Sequence, residues 1–151
     1  MIEVIPYDEK YREDVLHVAA AIHARSIYWD IPLAPEKLIS QLSGAGKDFP
    51  DRFFRIAVKD GRAVGGFYGC CIRVFFADAR IIKDMGWWVS PESRGQGVAS
   101  LLLSSFEAWG REIGAKKCCI GYNGIEDIEA KRKLFEWHGY TVTGYNTEKE
   151  L

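Results

Sequence analysis

The chain lacks most of what would take it out of the ordinary class of folded proteins. No apolar run approaches the ~18 residues that a membrane span needs, so no membrane partner is expected. The N-terminus, Met1-Ile2-Glu3-Val4, has neither a basic stretch nor an apolar core, and no secretory signal is read there. No excess of one charge is present. The 20 basic residues stand against 21 acidic ones, net −1, which gives no global field for nucleic acid or an anionic surface. Cysteine is scarce and falls in two adjacent pairs, Cys70-Cys71 and Cys118-Cys119, inside strand-like runs where neighbours point to opposite faces. Neither pair has the two-residue spacing that wraps zinc. Both pairs read as small buried hydrophobes of a reducing, cytoplasmic compartment. His17 and His23 lie six apart and share no helical face, so no metal is assigned.

What is present fits one domain spanning residues 1–151, with 48% apolar and 27% charged residues and no internal repeat or linker. Ile2 to Ile5 predicts a short strand. Tyr11, Val15, Val18 and Ile22 then fall on one helical face. Tyr28-Trp29-Asp30-Ile31-Pro32 breaks that pattern, and Pro35 opens a second helix through Leu42. Phe54, Ile56 and Val58 alternate with polar neighbours, Asp60-Gly61 signals a hairpin, and a long strand from about Ala63 to Phe76 follows. Ile81 to Val89 predicts the next strand, stopped by Pro91. Gly97 to Ile113 carries an apolar stripe of Val98, Leu102, Phe106, Trp109 and Ile113, closed by Gly114. Lys117 to Tyr122 predicts a strand, Asp127 to His138 a helix, and Tyr140 to Tyr145 a final strand. The order is β-α-α-β-β-β-α-β-α-β, an α/β chain with a mixed sheet and helices on its faces.

The informative stretch is Trp87-Trp88-Val89-Ser90-Pro91-Glu92-Ser93-Arg94-Gly95-Gln96-Gly97-Val98-Ala99. A strand ends, a proline turns the chain, and two glycines open an amphipathic helix. Gly95 and Gly97 permit positive φ and carry no Cβ, so backbone amides can converge on a ligand. Those amides sit at a helix N-terminus, which favours negative charge, and Arg94 adds a fixed cation. The arrangement suits a pyrophosphate. A nucleotide-binding domain of another kind is disfavoured: as a P-loop, Gly97-Val98-Ala99 lacks the Lys-Ser/Thr ending, and as a dinucleotide fingerprint, Ser100 stands where a third glycine or alanine belongs and Lys116-Lys117 where an acid belongs.

The loop resembles the GCN-five-related N-acetyltransferases, the GNAT superfamily, whose pattern Arg/Gln-x-x-Gly-x-Gly/Ala is matched by Arg94, Gly97 and Ala99. Val89-x-Pro91 before the loop, Gly114-Ala115-Lys116-Lys117 after the helix, and Leu134-Phe135-Glu136-Trp137-His138-Gly139-Tyr140 further on match the family's surroundings. The likeness covers roughly residues 54 to 145. It implies a mixed, mostly antiparallel sheet of six or seven strands, splayed in the middle, with about four helices on its faces. It also implies acetyl-CoA as co-substrate and no metal, with acetyl or acyl transfer to a primary amine of a small molecule or a protein.

Residue by residue, the resemblance implies that the amides of Gln96, Gly97, Val98 and Ala99, with Arg94 and Gly95, cradle the coenzyme A pyrophosphate. Trp88, Val89 and Ser90 would pair with the pantetheine arm, and the amide near Val89 would polarise the thioester carbonyl. Asp84 stands where many relatives carry a Glu base. Regular alternation would put Asp84, Gly86 and Trp88 on one face toward the cleft; otherwise it is a solvent-facing or ion-paired Asp beside Lys83. Asn123 reads either as a pantetheine or substrate contact or as a turn before Gly124.

The family's proton-donating Tyr falls at Phe135, which has no proton to give; Tyr122, Tyr140 or water could take its place. That departure also leaves room for a non-catalytic acyl-CoA sensor. Tyr28, Trp29 and Asp30 form an acidic, aromatic segment suited to a cationic amine, with Phe76 on an opposite lip; for any single aromatic, core packing or a hydrophobic lid is the better reading. The chain's end at Leu151 leaves little room for a seventh strand, so a homodimer completing the sheet is a hypothesis.

Overall fold

The computed structural model describes residues 1–121, 127–144, 147 and 149. The expected sites Tyr122 and Asn123, and Tyr145 of the expected last strand, lie outside the described residues. The chain divides into two compact units, Met1–Ile120 and Gly121–Leu151.

The first unit is a single sheet in the order β1-β2-β3-β4-β5. Its strands are β1 (Ile2–Pro6), β2 (Arg52–Lys59), β3 (Arg62–Arg73), β4 (Arg80–Val89) and β5 (Lys117–Cys119). Pairing is antiparallel from β1 to β4 and parallel between β4 and β5, across the crossover helix α3 (Val98–Glu112). Helices α1 (Arg12–His23) and α2 (Pro35–Gly44) occupy the segment between β1 and β2. Pro35 starts α2 because its ring presets a helical φ at a position that needs no amide donor. The β2–β3 hairpin closes on Asp60 (φ 51°) and Gly61 (φ 77°), the paired left-handed turn expected of Asp-Gly.

The sheet buries both faces, with different chemistry on each. One face packs Phe54 and Ile56 of β2, with Tyr68 and Trp88, against Tyr11 and Val15 and against Ile39 and Leu42 of α2. Asp14 pins α1 to the start of β3: it accepts from the Ala63 amide at 2.9 Å and pairs with Arg62 at 2.9 Å. The other face is aromatic. Phe106 of α3 lies 4.5 Å from Phe67 and 5.2 Å from Phe53, centroid to centroid, and Trp87 packs 5.6 Å from Phe67. Two β3 glycines permit close packing, one on each face of the sheet. A Cβ on Gly66 would lie 2.3 Å from the Trp88 ring, and one on Gly69 would lie 2.4 Å from the Phe106 ring.

The second unit holds α4 (Ile128–Trp137), which opens on a left-handed Asp127 (φ 57°) and ends at Gly139 (φ 83°). Arg132 bonds Glu129 and Glu136 along its exposed side. The Phe135 ring meets Tyr140 edge-on at 5.4 Å.

Two expectations need correction. The described residues form five strands, not six or seven, and Thr141 to Gly144 form no ladder. Their alternation looks strand-like, but Val142 is 72% exposed. The long strand after the hairpin stops at Arg73 rather than Phe76, because Val74 closes a turn onto Ala79 at 2.9 Å.

Candidate functional site

The site is built where β4 leaves the sheet. Parallel pairing of β4 with β5 covers only Ile81 to Lys83. At Trp88 and Val89, the ladder joins β4 to β3 alone, and the other edge of the strand is open among the described residues. The direction of its backbone groups follows from one bond: Ser90 donates its amide to Val64 O at 2.8 Å, toward β3. Strand alternation then turns the Val89 amide to the opposite, open edge.

β4 also carries a bulge. Tyr68 faces Gly86 and Gly69 faces Asp84, which leaves Met85 as an extra residue. The expected common face of Asp84, Gly86 and Trp88 is therefore wrong. Directly opposite residues share a face; Gly69 points at Phe106 of α3, so Asp84 lies on the α3 side with Trp87, whereas Trp88 lies over Gly66 on the α1–α2 side. Asp84 is half-buried, one residue beyond the point where β5 stops pairing.

After β4, Pro91–Ser93 form one 3-10 turn, with Ser90 and Ser93 buried. Gly95 (φ 75°) and Gly97 (φ 82°) adopt left-handed backbone, and Gly97 is the N-cap of α3. The first intrahelical bond runs from the Leu101 amide to Gly97 O at 3.0 Å, so the amides before it point out of the helix end. Nothing lies within 4 Å of where a Cβ would stand on either glycine. Gln96 fixes the loop from within: its Nε2 donates to Glu92 O at 2.8 Å, and its Oε1 accepts from Lys59 Nζ at 2.7 Å. Lys59 went unnoticed in the sequence, because only the fold brings the end of β2 to this loop. Arg94 is exposed at the lip, and Val98 is buried beneath the helix start. Open, Cβ-free space ringed by outward amides and two cations fits a diphosphate.

The other expected residues are placed less tightly. Tyr28, Trp29 and Asp30 form an exposed turn after α1, with Tyr28 bonded through its amide to Ser26 Oγ at 3.1 Å. Phe76 sits at the β3–β4 hairpin tip, 78% exposed and edge-on to Phe75. It lines an open groove with Arg73, Arg80 and Lys116, and that groove does not include Tyr28 to Asp30. The cysteines are free thiols, and burial pushes the Cys70 thiol up, as expected of an inert core residue.

This architecture, a mixed five-stranded sheet with a glycine-rich helix start after its fourth strand, is that of an acetyltransferase fold. Residues 50–142 match the family described as acetyltransferase (GNAT) domain, and the chain belongs to that family. Among curated proteins it is 26% identical over 105 residues to aminoglycoside N(6')-acetyltransferase type 1 of Stenotrophomonas maltophilia, a match covering 61% of each chain. The alignment thus spans about three fifths of that relative's length. Among solved structures, a Trypanosoma brucei acetyltransferase is 16% identical with a TM-score of 0.77 over 100% of both chains. AAC(6')-Iy, in complex with the bisubstrate analogue CoA-S-monomethyl-acetylneamine, is 15% identical with a TM-score of 0.74 over 100% of this chain and 98% of its own.

Proposed function

We propose that the chain is an acetyl-CoA-dependent N-acetyltransferase acting on a primary amine, with residues 1–151 serving as one acyl-CoA-binding domain. The observation that carries this reading is the continuity of the α3 N-terminus with the open edge of β4. One holds a diphosphate, and the other offers strand-like pairing to the extended arm attached to it.

In this assignment Arg94, Gly95, Gln96, Gly97, Val98 and Ala99 bind the diphosphate, and Trp88 to Ser90 pair with the arm. When bound, acetyl-CoA supplies an activated acyl group on a tolerable thiolate leaving group. The Val89 amide points at the edge where the carbonyl oxygen gains charge, which supports its oxyanion role. Asp84 borders the gap between β4 and β5 and accepts the amine proton through water from its half-buried position. The names of the relatives favour a small-molecule amine over a protein amino group. Tyr28, Trp29 and Asp30 remain the acceptor-binding assignment, since an exposed acid beside aromatics attracts a cation.

A second reading, a non-catalytic acyl-CoA sensor, is favoured by Phe135 at the place of the family's Tyr. Acetyl-CoA binding by calorimetry, together with thiol release over a panel of aminoglycosides, polyamines and peptides, separates the two. Binding with acceptor-dependent thiol release supports transfer. Tight binding with no release on any acceptor moves the chain to the sensor class, and no binding overturns both.

A further inference from the structure

Gly95 and Gly97 stand in left-handed backbone, and Gln96 between them carries the one side chain by which the rest of the molecule can grip that stretch. Such a stretch samples many conformations when unrestrained, because glycine has no Cβ to narrow its choices. Both ends of the Gln96 amide are used to restrain it. Its Nε2 donates to Glu92 O at 2.8 Å, which closes the loop on itself. Its Oε1 accepts from Lys59 Nζ at 2.7 Å, which ties the loop to the end of β2.

The two cations of the β2–β3 hairpin are placed on different terms. Lys59 and Arg62 face each other across the ladder. Arg62 is committed to carboxylates: it pairs with Asp14 at 2.9 Å, and its charge is also felt by Glu92. Lys59 is half-buried and has no ion pair among the described residues; the one bond of its ammonium goes to the neutral amide of Gln96. A neutral acceptor fixes the direction of the ammonium without cancelling its charge, and leaves two of its three protons for an anion.

We infer that Lys59 is a positioning residue for coenzyme A: through the Gln96 side chain it holds the amides of Gln96 to Ala99 convergent, and that same bond sets its charge beside the loop. This rests on the transferase reading above, and it gives the Gln96 side chain a task separate from that of its backbone amide. A loop held in its binding shape beforehand loses less freedom when the ligand arrives. A lysine that no carboxylate neutralises adds a point charge favourable to a phosphate.

The test is acetyl-CoA affinity by calorimetry over a range of salt, beside steady-state kinetics, on Lys59→Met, Gln96→Leu, their double variant and Lys59→Arg. Lys59→Met weakens acetyl-CoA by about tenfold, the scale of one hydrogen bond to a charged group, and flattens the salt dependence of binding. Gln96→Leu weakens it at least as much, and the double variant weakens it no further, because both changes break one link. Lys59→Arg restores most of the affinity, while kcat and the acceptor KM hold in every variant. Losses that multiply in the double variant would mean that Lys59 does not act through Gln96. A loss shared by kcat and the acceptor KM, with the salt dependence unchanged, would make Lys59 a general packing residue, and unchanged affinity would make it an ordinary surface lysine. Each of these three overturns the assignment of Lys59 and leaves the transferase reading standing. A wild type that does not bind acetyl-CoA overturns both.

Discussion

The two ends of β4 are built on opposite terms. At its C-terminal end Ser90, Ser93 and Val98 are buried, Gln96 is bonded on both its amide atoms, and Gly97 is fixed at φ 82°. At its N-terminal end the hairpin tip holds Phe75 at 96% exposure and Phe76 at 78%, and the bulge residue Met85 is 54% exposed. The Tyr28–Asp30 turn after α1 is similarly open. Under the proposed function, the first region handles the same donor in every turnover and the second meets the particular acceptor. The first is held rigid by packing, and the second is left to the ligand.

Four substitutions test that division, from the largest effect down. Asp84→Asn should lower turnover by about 10²–10⁴-fold with coenzyme affinity unchanged, the range for losing a general base. Steady-state kinetics beside calorimetry reads it, and unaltered turnover would remove Asp84 from the mechanism. Gly97→Val places a β-branched residue in left-handed backbone, which costs about 1–2 kcal/mol in conformation alone. It also fills the amide cradle, so acetyl-CoA affinity should fall by tenfold or more. Full affinity in this variant would mean that the diphosphate lies elsewhere.

Gly69→Ala tests the packed side of the comparison. Its Cβ would meet Phe106 at 2.4 Å and Lys83 O at 2.9 Å. Overpacking of this kind costs about 1–3 kcal/mol, a drop in Tm of about 2–4 °C per kcal/mol for a chain of this size. Trp29→Ala tests the open side. At 70% exposure it should shift stability by less than about 0.5 kcal/mol, while raising the acceptor KM several-fold. A large loss of stability would make Trp29 a packing residue and move the acceptor site.

The parts legible in the sequence were those set by local chemistry. Asp60-Gly61 and Gly97 announce their backbone angles, Pro35 its helix start, and Val98, Leu102 and Phe106 their buried stripe. The loop motif was legible because its geometry is set by contiguous backbone. What failed depended on partners distant in sequence. Thr141 to Gly144 alternate like a strand but form no ladder among the described residues. The side of the sheet that Asp84 faces was misread because the bulge at Met85 exists only in the pairing of β4 with β3. Lys59 was invisible for the same reason, since only the fold brings it to Gln96 in the loop before α3.

Met85 behaves as a dislocation does in a crystal row. The ladder is regular on either side of it, and only the count of residues between two pinned ends is off by one. Gly69 opposite Asp84 pins one end, and Tyr68 opposite Gly86 pins the other. Exchanging the side chain at residue 85 leaves such a defect in place; removing the residue erases it. Drift among descendants of this chain is therefore free to change the letter at that position, while the number of letters from Ile82 to Trp88 is held constant.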